Sequence, residues 1–316
     1  MNFIITGGAG FIGSHLIDCI NLRFPGSIIV VVDNLYLGRR KNIYGNNRNS
    51  TVIFYNADAS CYEVMNNLID LHAIDVIFDL AVVPLPVSLH RPLWVWQQNI
   101  KIVECLCELA SIGKIKRYVH FSSSEAYGTA KKIPMSEEHL ITPRTAYGAS
   151  KAATDHLILS YVENFGIDAR IVRPFNAFGP RQNDKTYAGV IPITINRILS
   201  GQSPIIYGTG EQTRDYTYVV DIVNAAIDIC FSSAIKNGDI INIASGKETS
   251  ILLLIEKIAE FMLYHGAIDY QNERDADVFR HCADISKAKQ LIGYSPVTSI
   301  DDGLKKTIEY FRDNYE

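Results

Sequence analysis

Short apolar runs that keep alternating with helical stretches constrain this chain more than any other feature. Residues 2–6, 27–33, 51–58, 75–81, 117–123 and 167–174 read as strands, several of them apolar on both faces. Helical patterns occupy 11–24, 61–72, 95–112 and 147–165. A strand that is apolar on both faces needs cover on both, and intervening helices supply it. The pattern predicts an α/β fold built on a doubly wound parallel sheet. Ligands of such sheets bind beyond the carboxyl ends of the strands.

After residue 175 the pattern loosens. "PFNAFGPRQNDKTYAG" is rich in turn residues and reads as a loop. Helices are expected at 190–200, 219–232, 250–264, 284–292 and 301–313, with a short strand at 239–243. This predicts a smaller C-terminal α/β lobe interleaved with the sheet. The expected division is 1–175 with part of 213–245 for the sheet domain, and 176–212 with 246–316 for the lobe.

"TGGAGFIGS" follows the first strand and opens a helix, with Gly7, Gly10 and Gly13 at G-x-x-G-x-x-G spacing. Without a Cβ, the backbone can approach a pyrophosphate closely. The helix N-terminus then offers free N–H groups and the positive end of its dipole. Asp33 stands twenty residues beyond Gly13, at the end of the second strand. A carboxylate there accepts the ribose hydroxyls of NAD and repels the extra phosphate of NADP. Read alone, the glycines make a tight turn and Asp33 caps a bend with Asn34. Together they predict a Rossmann-type NAD site. Asp58, at the end of the third strand, is within reach of the adenine, although "NAD" is also a turn sequence.

Two polar stretches carry chemistry. "TAYGASK" places Tyr147 and Lys151 four apart on one helical face. An ammonium beside a phenol favours the phenolate, so Tyr147 becomes a base near neutral pH. The plain alternative is a surface Tyr–Lys pair. "FSSSEAYG" follows the fifth strand and holds Ser123, Ser124 and Glu125.

With these motifs in view, the chain resembles the extended short-chain dehydrogenases/reductases that act as NAD-dependent sugar-nucleotide epimerases and dehydratases. "TGGAGFIGS", "SSSEAYG", "YGASK", "RPFNAFGPRQ", "YGTGEQTRDYTYVVDI" and "ADISKAKQLIGYSP" read like that family nearly end to end, in its order. The resemblance implies that Tyr147 takes the proton of a sugar C4 hydroxyl while the C4 hydride passes to NAD. Lys151 would tune Tyr147 and hold the nicotinamide ribose, and Ser123 would hydrogen-bond the same hydroxyl. The cofactor lining implied is Gly7, Gly10, Phe11, Ile12, Gly13, Asp33, Asn34, Asp58, Ala59, Leu80, Ala81 and Pro174, with Tyr147 and Lys151. Asn176 and Arg214 resemble residues that meet the substrate diphosphate, a task that suits a guanidinium. Tyr207, Gln212, Val190 and Ile191 would lie near the nucleotide. Arg274 and Arg280 fall where the family often has a phosphate- or acid-binding arginine.

The reaction turns on Glu125. A 4-epimerase needs little beyond Tyr, Lys and Ser. A 4,6-dehydratase also needs a base for the C5 proton, and lyases of the family often carry a glutamate at this position. Ser124 falls where some dehydratases have aspartate and others serine. The expectation is therefore a 4,6-dehydratase-type lyase first, a 4-epimerase second and a decarboxylase third. Ser123 replaces the usual threonine of the lyases. "YGASK" lacks the Y-D-E-G-K-R look of many UDP-glucuronate decarboxylases. "LAVVPLPVSLHRP" departs from the usual small and polar sugar loop, with Pro84 and Pro86 to stiffen it. A non-catalytic NAD-binding scaffold is the reading from a different class, and intact Tyr147, Lys151 and Ser123 argue against it.

Composition narrows the partners. Net charge is −4, unlike the basic excess of a nucleic-acid binder. Six cysteines show no C-x-x-C and no zinc spacing with histidine, so no metal and a reducing, cytoplasmic setting are expected. No signal-peptide pattern or membrane span is read in the chain. Apolar stripes in "VECLCELA" and "YGASKAATDHLIL" suit a four-helix contact, so a homodimer is expected.

Overall fold

The computed structural model describes residues 1–43, 49–273 and 279–315. Seven parallel strands form the central sheet. In chain order they are β1 (Asn2–Thr6), β2 (Ile28–Asp33), β3 (Thr51–Asn56), β4 (Val76–Asp79), β5 (Arg117–Phe121), β6 (Ala169–Pro174) and β7 (Ile240–Ile243). Their spatial order is β7-β6-β5-β4-β1-β2-β3. The order reverses between β1 and β4, which opens a crevice at their carboxyl ends. Thr6 sits opposite both Val32 and Asp79 in register, so all three mark the rim of that crevice.

Alternation along the strands sends side chains to two cores. Phe3, Ile5, Ile29 and Val31 face α1 (Phe11–Arg23) and α2 (Val219–Phe231). Ile4, Val30, Val32 and Ile77 face the opposite layer, where α3 (Tyr62–Leu71), α4 (Pro92–Ser111) and α5 (Ala146–Phe165) supply Met65, Leu106 and Ile158. Burying side chains of this kind contributes about 1.5–3 kcal/mol each, which is why both faces need helices.

A third core gathers Phe178, Ile191, Ile195, Tyr216, Tyr218, Leu254, Leu304 and Phe311 away from the sheet. It is built from Val190–Leu199, Ile251–Phe261 and Ile300–Asp313, with Asn176–Phe178 paired parallel to Tyr216–Tyr218. One detail differs from expectation. Ser286–Ile292, assigned by sequence to the second lobe, places Ala288 in the core against the sheet, and Tyr294 just after it joins the same core. The apolar face of this helix meets α2, whose own pattern is apolar nearly all round.

The loop after β4 also differs. It contains a short helix at Leu85–Ser88, and α4 starts at Pro92 rather than 95. Proline fits the first turn of a helix, where its missing N–H costs nothing. Asn99 ties this loop down: it accepts from the Val83 N–H at 2.8 Å and donates to Ser150 Oγ at 3.0 Å. No helix among the described residues is long and apolar enough to cross a membrane.

Candidate active site

The crevice holds a cavity of about 410 Å³. Every residue expected to line a cofactor borders it: Gly7, Gly10, Phe11, Ile12, Gly13, Asp33, Asn34, Asp58, Ala59, Leu80, Ala81, Tyr147, Lys151 and Pro174. Residues distant in sequence meet here because each follows the carboxyl end of a parallel strand or opens the helix after it.

The glycine turn has a steric reason beyond the one read from sequence. Gly7 has φ +64°, and a Cβ on it would lie 2.8 Å from the Leu80 carbonyl. A Cβ on Gly13 would lie 2.5 Å from the Gly7 carbonyl oxygen. Close packing of the turn on itself thus demands these two glycines before any ligand arrives. The same packing brings the α1 N-terminus to the cavity, and no side chain caps that helix. Its free N–H groups suit a diphosphate.

Asp33 is buried and anchored. Its Oδ2 accepts from the Ala9 N–H at 3.0 Å and its Oδ1 from the Leu35 N–H at 2.8 Å. Burial raises its pKa above the ordinary range, and the two N–H groups pull the other way. Asp58 borders the cavity but also closes a turn, accepting from the Ser60 N–H at 2.9 Å. The uncapped helix, the glycine cradle and the strand-end carboxylate fit NAD.

Ser123, Tyr147 and Lys151 converge on the same cavity. Thr145 caps α5 through the Gly148 N–H and so sets the helix that carries the last two. Lys151 Nζ donates to the Phe121 carbonyl at 2.7 Å. Burial lowers the lysine pKa, while Asp79 and Asp155 oppose that effect. Asp79 is itself held by Thr6 Oγ1 at 2.7 Å and paired with His120 at 2.8 Å.

The phenol behaves differently from expectation. Burial pushes Tyr147 up to about 12; the Ser123 hydroxyl draws it down, and the charges of Glu125 and Asp155 raise it further. The Lys151 ammonium is occupied by the Phe121 carbonyl and faces Asp79 and Asp155. Glu125 and Ser124 do not border the cavity. Ser124 is buried, and both lie in a single 3-10 turn that Ser123 caps.

The candidate substrate residues lie outside the cavity lining, apart from Ser123. Asn176 opens the strand after Pro174, and its Nδ2 is buried without a hydrogen-bond partner. Arg214 lies close enough to His281 for its charge to depress that imidazole. The His281 ring in turn lies 5.2 Å from the ring of Phe175, which borders the cavity. Gln212 donates to the Tyr207 carbonyl at 3.2 Å, so those two are neighbours. Val190 opens its helix, and Ile191 is buried in the third core.

Arg280 is not brought to this cavity. It is exposed, bonded through Nε to Glu248 Oε1 at 3.0 Å, and borders a separate depression with Lys131 and Lys132. Arg274 lies outside the described residues.

Several lining residues escaped the sequence reading. Tyr36 and Arg39 come from the loop after β2, Trp94 and Gln98 from α4, and Arg181 and Asn183 from "GPRQN". That last motif was visible in the sequence, but a turn-rich loop gives no sign of where it folds. No group of three or more His, Cys, Asp or Glu among the described residues could hold a metal ion.

A family model described as GDP-mannose 4,6 dehydratase matches residues 4–307. The putative UDP-glucose 4-epimerase of Methanocaldococcus jannaschii is 34% identical over 312 residues, 98% of each chain. The solved UDP-glucose 4-epimerase of Thermotoga maritima, with UDP-glucose, is 33% identical at a TM-score of 0.92 over 100% of each chain. The dTDP-glucose 4,6-dehydratase of Streptomyces venezuelae, solved with NAD, is 26% identical at a TM-score of 0.91, covering 99% of this chain and 98% of that one. The chain is an NAD-dependent enzyme of the extended short-chain dehydrogenase/reductase family of sugar-nucleotide epimerases and dehydratases.

Proposed function

We propose that the protein is a 4-epimerase of a UDP-hexose. The supporting observation is that Ser123, Tyr147 and Lys151, the groups a 4-epimerase needs, border one cavity, while Glu125, whose charge still reaches Tyr147, is absent from that cofactor-side lining. The similar proteins favour it over the dehydratase, with 33–34% identity to a UDP-glucose 4-epimerase and a putative one against 26% to the dehydratase, while sugar-nucleotide decarboxylases reach 31–33%. The dehydratase expected from Glu125 is thereby displaced as first reading. Loop glutamates are common in polar turns, and residue type alone could not tell a C5 base from a bystander.

In this reading Tyr147 takes the proton of the C4 hydroxyl, with Ser123 hydrogen-bonded to the same oxygen. NAD, held at the glycine turn and Asp33, would supply the hydride acceptor and donor for C4 when bound. The 4-keto sugar presents its other face, and Tyr147 gives the proton back, so atoms and charge balance over the cycle. Lys151 holds the cofactor ribose and keeps positive charge at the reacting end. Asn176, through its unpartnered amide, and Arg214 bind the diphosphate. Tyr207, Gln212 and Val190 bound the nucleotide. The third core and the segments around it form the substrate lobe. A homodimer through α4 and α5 belongs to the same proposal. Those helices pack on each other within one chain and leave Trp96 partly exposed.

Mass spectrometry after incubation with UDP-hexoses and UDP-hexuronates tests this. Unchanged mass with a new chromatographic peak is expected. Loss of one water would restore the dehydratase, and loss of carbon dioxide would promote the decarboxylase. Glu125→Gln should leave epimerisation within a few-fold; a halt after C4 oxidation would overturn the assignment.

A further inference from the structure

The segment 179–187, "GPRQNDKTY", crosses from the third core back over the cofactor cavity, and five contacts fix it there. Arg181 forms an ion pair with Asp18 on the helix that opens with the glycine turn. Asp184 forms an ion pair with Arg39 of the loop after β2. The Pro180 carbonyl meets His15 Nε2 at 2.9 Å, also on α1. Tyr187 packs into the cluster of Val83, Val87 and Val95 that also receives Tyr147. Asn196 donates to the Asp184 carbonyl at 3.3 Å and anchors the segment to the third core.

Two features argue that this is a built device and not a passive loop. Arg181 and Tyr187 have φ of +63° and +70°, a region that residues with side chains rarely adopt. The contacts at Asp18 and the Tyr187 cluster hold the backbone in that state. In addition, Arg181, Asn183 and Arg39 all border the cavity, and Arg181 Nη1 is buried without a protein partner. That donor is available to an anionic group of a dinucleotide.

We propose that residues 179–187 form a strap that retains NAD, clasped by the Arg181–Asp18 and Arg39–Asp184 ion pairs. NAD leaves only when both clasps open. The clasps are partly shielded, with side-chain exposures of 18% and 16% for the first pair and 30% and 18% for the second. Shielded pairs are less screened by salt than surface pairs. A cofactor that must return its hydride in every cycle needs to stay bound, and the strap provides the barrier. Because the strap also touches the Tyr147 cluster, its closure couples cofactor retention to the placement of the reacting phenol.

The test reads release of NAD from loaded protein with no sugar present, so its outcome does not depend on which reaction the enzyme performs. Alcohol dehydrogenase and ethanol convert each released NAD to NADH, and absorbance reports the rate. The double variant Asp18→Asn with Asp184→Asn removes both carboxylates and leaves every cavity-lining side chain in place. Release should speed up on the order of tenfold, the factor that about 1.4 kcal/mol of lost clasp would give. Asp228→Asn, which removes the Arg23–Asp228 surface pair, should leave release unchanged. If the double variant does not fold, Asp184→Asn alone should still show a several-fold rise. Equal release rates in wild type and a folded variant, or an equal rise in Asp228→Asn, would overturn the strap.

Discussion

The Lys151 ammonium donates to the carbonyl of Phe121 at 2.7 Å, across the interface between α5 and the end of β5. This bond fixes the helix that carries Tyr147 against the strand that leads into Ser123. Asp79 and Asp155 balance the buried charge from β4 and from the next turn of α5. The three reacting side chains are therefore positioned by one rigid corner of the sheet and not by a mobile loop.

Tyr147→Phe removes the proton acceptor and little else. Turnover should fall by at least about 10²-fold while NAD content stays near wild type. Ser123→Ala has a separate signature. Ser123 is the neighbour that lowers the phenol pKa, so its loss should raise that pKa further. The phenolate fraction falls tenfold per unit at any lower pH, so activity should drop and its profile should move to higher pH. A pH–rate series on both variants checks this; full activity in Tyr147→Phe would remove the tyrosine from the mechanism.

Gly13→Ala tests the turn. The new Cβ would sit 2.5 Å from the Gly7 carbonyl oxygen and 2.7 Å from Gly8 Cα, both backbone atoms. The turn must open, at a cost of about 1–3 kcal/mol. A lower thermal midpoint and loss of copurified NAD are expected. Gly113→Ala is the contrast, since no atom lies near that Cβ; it has φ +77°, so it should cost stability without touching NAD content.

Acid should destabilise the fold through two histidines. Burial and a neighbouring arginine, Arg181 for His15 and Arg214 for His281, hold both near 4 instead of 6.5. Between those values the unfolded chain binds more protons than the folded one. Stability is therefore full above pH 6.5 and falls toward pH 4, by about 1.4 kcal/mol per pH unit for each histidine. Asp33 and Asp215, whose carboxyls burial raises, return part of this as they protonate in the fold. Thermal unfolding from pH 7 to 4.5 should show the decline, with a shallower slope in His281→Gln. An identical slope would exclude His281 as a contributor.

The sequence by itself determined the sheet and the cofactor end. Alternating apolar runs dictate parallel strands, and residues at or just beyond strand ends gather at one crevice, as Gly7 and Asp33 do; Lys151 was read from its helical spacing to Tyr147, and Ala81 from the family resemblance. These are local signals: a strand, its terminus and the turn after it lie close together in the chain. Tertiary structure alone decided the rest. Glu125 and Ser123 are two residues apart, yet a single 3-10 turn sends only Ser123 to the cavity. Arg280 matched a family position but is claimed by Glu248, thirty-two residues away. Arg181 reaches Asp18 across 163 residues, and no periodicity encodes such a meeting. Long-range pairings depend on how packed layers bring loops together, and that is set by the whole core.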